Sequence, residues 1–352
     1  MDADKVIVGL GAVGRADGII SVQRLSGGVI ADVWLISYAD GSRIVGKTLI
    51  GAPRDLFAIE AEGLTALRAT GQLGTPQVLG VTRHLMLLEA LSAGQDSPRA
   101  WERFARDVAA AHRGTVHDRF GWHRDGYLGR LRQVNTWTTS GHDFFAEHRL
   151  LRYLRERAVW QALDASDRRA LERLCDRLPQ LIPAMPAVLT HGDLWAGNLL
   201  NRNGRIIVID PAVSYTWAET DLSMLWSCPR PPASERFFEL YQELSPSPPG
   251  WIDRMPILNL RELLSTVAHF GTEAVSTVQQ VRHILTPFIE PPGPGRDDSN
   301  SSSQRQATGP VATQQARTIR ANLGYVHTAS RAALRAVARD RLRRPETRRP
   351  LS

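Results

Sequence analysis

Three side chains between 193 and 210 have types and spacing suited to moving a phosphoryl group. Asp193 follows His191-Gly192 at a turn, Asn198 stands five residues on, and Asp210 ends the apolar run Arg205–Ile209. Phosphoryl transfer to a hydroxyl asks little covalent chemistry of a protein; it needs positioning and neutralised charge. A carboxylate must accept the hydroxyl proton, which suits Asp193. Magnesium takes hard oxygen ligands and completes its shell with phosphate oxygens, which suits the Asn198 carbonyl and the Asp210 carboxylate. Taken singly, the three read equally as a helix cap, a turn and a strand end. Their order, and an upstream lysine, point to a shared role. Lys5 and Lys47 are the only lysines among 43 basic residues, so Lys47 marks a place where a compact ammonium is wanted rather than a guanidinium fork.

The elements that must position these groups are legible from pattern. Val188–Thr190 is a short apolar run before the His191 turn. Asn203-Gly204 is a hairpin signal between Leu199–Leu200 and Arg205–Ile209. Such a hairpin brings Asp193, Asn198 and Asp210 to one end. Upstream, Ser21–Leu25, Val29–Tyr38 and Arg43–Leu49 read as strands, divided by Ser26-Gly27-Gly28 and Asp40-Gly41. Gly27 and Gly28 let backbone amides approach an anion, and Lys47 on the third strand would meet the same phosphates. Arg54–Gly71 has helical spacing through Phe57, Ala61, Leu64 and Leu67, and carries Glu60 and Glu62. Thr75–Val81 and His84–Leu91 add two strands. Trp101–Arg113, Asp167–Leu181, Glu235–Leu244, Trp251–Phe270 and Val275–Leu285 read as helices of a second unit.

The wording of the central stretch is more specific. HGDLWAGN followed by IDPAVSYTWAETDLSM resembles the fructosamine (ketosamine-3-) kinase family, whose loop is H-G-D-L-W-x-G-N and whose metal strand ends D-P-A. Aminoglycoside phosphotransferases and choline kinases share H-G-D and the Asn but usually lack Trp195 and the Asp210-Pro211-Ala212 ending. The resemblance runs from about Ser21 to Phe288. It implies an α+β, bilobal, protein-kinase-like fold with a five-stranded antiparallel N-lobe sheet, a mostly helical C-lobe, and ATP and Mg2+ in the cleft. By the same resemblance Asp193 is the base, Asn198 and Asp210 hold the metal, and Lys47 pairs with Glu60. Gly27 and Gly28 cover the phosphates, and Glu89 to Leu91 form an adenine hinge. Trp195 packs on the sugar or holds the loop, while Asn135 and Trp137, in an N-x-W pattern, are acceptor-pocket candidates. His191 and Asp221 support the catalytic loop, and His112 is a packed or capping histidine. The implied reaction phosphorylates the 3-hydroxyl of a small-molecule or protein-bound ketosamine and so promotes deglycation; the alternative is a hydroxyl kinase of the aminoglycoside or choline type. Two departures stand out. Gly46 loosens the strand bearing Lys47, and the tail has no family counterpart.

Composition bounds the rest. With 352 residues, 43% apolar and 22% charged, the chain is long enough for two lobes of ordinary globular character. The net charge of +7 lies in the tail, where twelve arginines and five acids fall between 289 and 352. The body is neutral, which speaks against a nucleic-acid-binding fold. No run is long enough to span a membrane and no leader pattern opens the chain, so a cytoplasmic, monomeric enzyme is expected. Cys175 and Cys228 imply no disulfide framework. Val6–Gly14, VIVGLGAVG, has the glycine spacing of a dinucleotide turn, but Arg15-Ala16-Asp17-Gly18 cuts off the helix that must follow. The expected divisions are an irregular segment 1–20, an N-lobe 21–91, a C-lobe 92–288 and a disordered basic tail 289–352.

Overall fold

Alternation along three neighbouring strands sorts the amino-terminal residues onto two faces of one sheet. The computed structural model describes residues 3–25, 30–92 and 94–289. Gly27, Gly28 and the stretch from 290 onward lie outside the described residues. The first unit comprises α1 (Ala3–Ala12), β1 (Ile19–Leu25), β2 (Asp32–Tyr38), β3 (Arg43–Thr48), α2 (Leu56–Ala69), β4 (Val78–Val81) and β5 (Leu85–Glu89). Its strands form one antiparallel sheet in the order β1-β2-β3-β5-β4. Leu35, Val45, Met86 and Leu88 cluster with Phe57 and Leu64 of α2 on one face. Trp34, Ile36, Ile44, Leu85 and Leu87 take the other.

The amino-terminal segment is not irregular. Val6 and Leu10, four residues apart in α1, are fully buried against that second face. This burial outweighs the roughly 1 kcal/mol helix penalty of each of Gly9 and Gly11. A Cβ on Gly9 would stand 2.9 Å from Leu85 Cδ2, so the glycine sets how closely the helix approaches the sheet. The spacing that mimics a dinucleotide turn is a packing feature. Gly46 does not loosen β3 either: it pairs with Trp34 and Leu87, and Ile36 and Leu85 fill the space its missing Cβ leaves.

The second unit comprises α3 (Pro98–Gly114), β6 (Gly126–Leu128), β7 (Leu131–Gln133), α4 (Gly141–Phe145), α5 (Arg157–Ala162), α6 (Ala165–Asp176), α7 (Leu178–Leu181) and β8 (Val188–Thr190). It continues with β9 (Leu199–Arg202), β10 (Arg205–Val208), β11 (Ser214–Thr216), α8 (Ala218–Ser227), α9 (Phe237–Leu244), α10 (Trp251–Phe270) and α11 (Val275–Leu285). Ser97 caps α3 by accepting from the Ala100 amide, with Pro98 following at a position where its missing N–H costs nothing. The single helix expected over Asp167–Leu181 breaks at Arg177, and Pro179 lies in the first turn of the short helix that resumes. One large core, built on Trp101, Phe104, Phe145, Trp217 and Phe237, joins these helices. The β9–β10 hairpin also docks on the first unit: Val208 N–H donates to Gly74 O at 2.8 Å and Arg202 pairs with Glu89 at 2.6 Å. Among the described residues, no helix is long and apolar enough to cross a membrane.

Candidate active site

Asn203 and Gly204, with φ of 52° and 79°, make the turn that the Asn-Gly signal requires. The hairpin they close pairs Leu199 with Val208, and Ile209 N–H donates to Asn198 O at 3.0 Å. Asn198 and Asp210 therefore sit together at its open end. Asn198 Nδ2 donates to both the Asp193 carbonyl (2.9 Å) and Asp193 Oδ2 (2.8 Å). Two acceptors on the nitrogen side turn Oδ1 the other way. Asp210 adopts φ of 58°, a left-handed conformation that is costly for a side-chain-bearing residue. Local strain of this kind is tolerated where the surroundings hold a residue in a working orientation.

Lys47 reaches this end of the hairpin from β3. Its ammonium lies 2.5 Å from Glu60 Oε1 on α2 and 2.8 Å from Asp210 Oδ1. Burial alone would lower the Lys47 pKa, but Asp210 and Glu60 override it and raise it. Glu60 is pushed up to about 7, chiefly by burial, with Lys47 opposing and Asp210 adding to the rise. Two carboxylates share one ammonium here, so the group carries a spare negative charge. A divalent cation at Asp210 would absorb it. Asn198 Oδ1 and the half-exposed Asp210 carboxylate are the hard oxygen donors on offer. No group of three or more His, Cys, Asp or Glu suited to a metal occurs among the described residues.

The loop carrying Asp193 is braced from behind. Asp221 accepts the His191 amide at 2.8 Å and the Gly192 amide at 2.9 Å, and His112 Nε2 lies 3.3 Å from it. Burial would raise the Asp221 pKa, but the His112 hydrogen bond and the neighbouring charges bring it below the ordinary aspartate range. His112 is held in turn by the Tyr241 hydroxyl at 2.8 Å. Burial lowers the His191 pKa; its Nε2–H donates to Ile209 O (3.0 Å) while Nδ1 accepts the Asp193 amide (3.2 Å). That one ring ties the loop to the end of β10. Gly192, at φ of 76°, admits no Cβ, which would stand 2.2 Å from Ala212 O. Trp195 lies over Gly197, where a Cβ would meet its ring at 1.9 Å, and packs on Met224 and Cys228. The tryptophan and second glycine of the motif are thus one stacked unit.

These groups open onto a cavity of about 250 Å³ between the lobes, lined by Lys47, Glu60, Asp193, Trp195, Asn198 and Asp210. Its apolar end is made by Val33, Val45, Leu88, Leu200 and Ile209, with Glu89 and Leu91 at the hinge. The Glu89 carboxylate is turned to Arg202, and the Glu89 N–H donates to Gln77 O at 2.9 Å. Two expected acceptor residues are not brought here. Asn135 is fully buried, its Oδ1 accepting from Arg149 at 2.7 Å and its Nδ2 donating to Arg124 O. Trp137 stacks on His117, 5.0 Å between rings, outside the cavity. The opposite wall comes instead from Tyr127, Gly129 and the α10 residues Glu262, Ser265, Thr266 and His269. Sequence reading missed α10 as a cavity wall. The polar stripe at 262, 265, 266 and 269 was its signal. Burial first, then Glu262, hold the Asp193 carboxyl well above its ordinary range, with Arg261 and Asn198 opposing. Arg261 also donates to Gly192 O and Gln133 Oε1, bracing the loop from this side.

A sequence profile described as fructosamine kinase matches residues 10–286. A probable ketoamine kinase from Synechocystis sp. is 34% identical over 235 residues, which span 64% of this chain and 77% of that one. A chloroplastic protein-ribulosamine 3-kinase from Oryza sativa subsp. japonica is 27% identical over 278 residues, 76% of this chain and 79% of that one. Among solved structures, one from Thermobifida fusca, provisionally described as a fructosamine-3-kinase, matches with a TM-score of 0.68 at 32% identity, covering 80% of this chain and 100% of that one. An aminoglycoside phosphotransferase solved with AMP-PNP and hygromycin B shares the fold, at a TM-score of 0.55 and 15% identity, covering 78% and 97% of the two chains. The two-lobed α+β arrangement is protein-kinase-like, the protein is a kinase, and the chain belongs to the fructosamine kinase family.

Proposed function

We propose that the enzyme transfers the γ-phosphoryl group of ATP to the 3-hydroxyl of a ketosamine, a sugar rearranged onto an amine. The observation that carries this reading is the convergence of Lys47, Asp193, Asn198 and Asp210 on one cavity, apolar at the hinge and polar at its far wall. The names of the relatives supply the acceptor class. Val45 and Ile209 would offer apolar surface to adenine, and Lys47, held by Glu60, would meet the phosphates. A bound Mg2+ would neutralise charge between the transferred and leaving phosphates, held by Asn198 Oδ1 and Asp210. Asp193, fixed by Asn198 and by its own amide donating to the His191 ring, accepts the proton of the attacking hydroxyl.

The product explains a repair role. Enolisation of the ketone toward C1 makes the 3-phosphate an allylic leaving group. Its loss as inorganic phosphate, followed by hydrolysis of the resulting imine, frees the amine and reverses glycation. The test is ADP release with Mg-ATP against ribulose-lysine, fructose-lysine, an aminoglycoside and choline, with phosphorus NMR of the product. Turnover of a ketosamine, with the phosphorus coupled to the C3 proton, is expected. Turnover confined to the aminoglycoside or choline would overturn the acceptor assignment in favour of the other hydroxyl-kinase class.

A further inference from the structure

The acceptor wall of the cavity is one stripe of α10, Glu262, Ser265, Thr266 and His269, spaced i, i+3, i+4 and i+7. His269 has a structural task. Its Nδ1–H donates to Ser265 O at 2.8 Å, and Nε2 accepts the Arg130 amide at 3.1 Å, which seats the β6–β7 turn. Ser265 and Thr266 offer hydroxyls suited to a polyol. Glu262 is the member that a sugar alone does not explain.

Among the described residues the cavity wall carries five carboxylates, Glu60, Glu89, Asp193, Asp210 and Glu262, against the single ammonium of Lys47. Four have partners or tasks: Glu60 and Asp210 hold Lys47, Glu89 pairs with Arg202, and Asp193 is the base. Glu262 pairs with Arg261, yet that guanidinium is also committed to Gly192 O and Gln133 Oε1. A further part-buried carboxylate beside a polyanionic nucleotide is repulsive, and burial already disfavours its charge. Its position is rational if the occupant of that wall is a cation. In a ketosamine the amine on C1 and the accepting oxygen on C3 are separated by three carbons. With the oxygen at Asp193, the ammonium stays within the same cavity, which Glu262 also lines.

We infer that Glu262 is the specificity-determining residue that binds the protonated amine of the acceptor. This rests on the ketosamine reading above. The experiment compares kcat and KM of wild type, Glu262→Gln and Glu262→Asp with fructose-lysine, and the same enzymes with 1-deoxyfructose, which lacks the amine, as substrate or competitive inhibitor. Glu262→Gln is expected to raise KM for fructose-lysine about tenfold or more, as removal of a charge-assisted contact does. It leaves the constant for 1-deoxyfructose and KM for ATP within about twofold, and Glu262→Asp restores part of the loss. Equal losses with both sugars, or an unchanged KM for fructose-lysine, would show that Glu262 only braces Arg261, and would leave the ketosamine reading standing. Absence of fructose-lysine turnover by the wild type would overturn that reading and this inference together. Melting temperatures of all three proteins separate either outcome from misfolding.

Discussion

At the scale of single residues, Lys47 sets the terms of the site: one buried ammonium serves two carboxylates on two different elements. A planar guanidinium cannot take that compact position, so Lys47→Arg is expected to lower kcat/KM by about 10²-fold in an ADP-release assay. Gly192→Ala would force a Cβ into Ala212 O at a positive φ, and is expected to destabilise the fold by more than about 2 kcal/mol in a denaturant titration. Asp221 has a folded pKa below its unfolded one, so its contribution is present above the ordinary aspartate value and is lost as pH falls toward the folded value. Stability of the wild type should therefore fall more steeply in acid than that of Asp221→Asn, as read by melting at pH 3 to 6. Asp193, Asn198 and Asp210 were legible because their partners are near in sequence and a hairpin must bring them together. Asn135 and Trp137 misled because their spacing says nothing about which way a side chain turns. Glu262 was hidden inside a helix whose other residues, Leu260, Leu263 and Leu264, are core.

At the scale of elements, α2 is held against the C-lobe segment that follows α3. Trp122 Nε1 donates to Glu62 Oε1 at 2.9 Å, and Asp55 accepts from Arg124 and from the Tyr127 hydroxyl, both at 2.9 Å. These contacts fix the helix that carries Glu60. Asp55→Ala is expected to raise KM for ATP several-fold, with a stability change near 1 kcal/mol because the carboxylate is partly exposed. An unchanged KM would mean that the clamp does not position Glu60. α1 was read as irregular because its glycines matched a turn whose following helix Arg15-Ala16-Asp17-Gly18 cuts off, whereas the decisive quantity was burial of Val6 and Leu10 against a face the sequence had not yet paired. Leu10→Ala is expected to cost about 2–3 kcal/mol in chemical denaturation without changing KM for either substrate.

At the scale of the whole molecule, the two lobes meet at the β9–β10 hairpin and at the α2 clamp, and among the described residues those lining the cavity between them fall within 30–270. The excess positive charge lies beyond these, between 289 and 352. A chain ending at Ile289 is accordingly expected to keep kcat and KM within about twofold of the full chain. The fold was legible where alternation and helical spacing were strong; the α10 wall of the cavity was not, because which face of α10 meets the cavity depends on packing of the complete C-lobe. The most direct test of the account is single-turnover ADP release by Asp193→Asn beside wild type, with nucleotide affinity measured on both. The site described here predicts unchanged nucleotide binding and a loss of turnover of about 10²-fold or more in the variant. Turnover close to wild type would show that Asp193 is not the base, and would contradict the assignment of this cavity's chemistry.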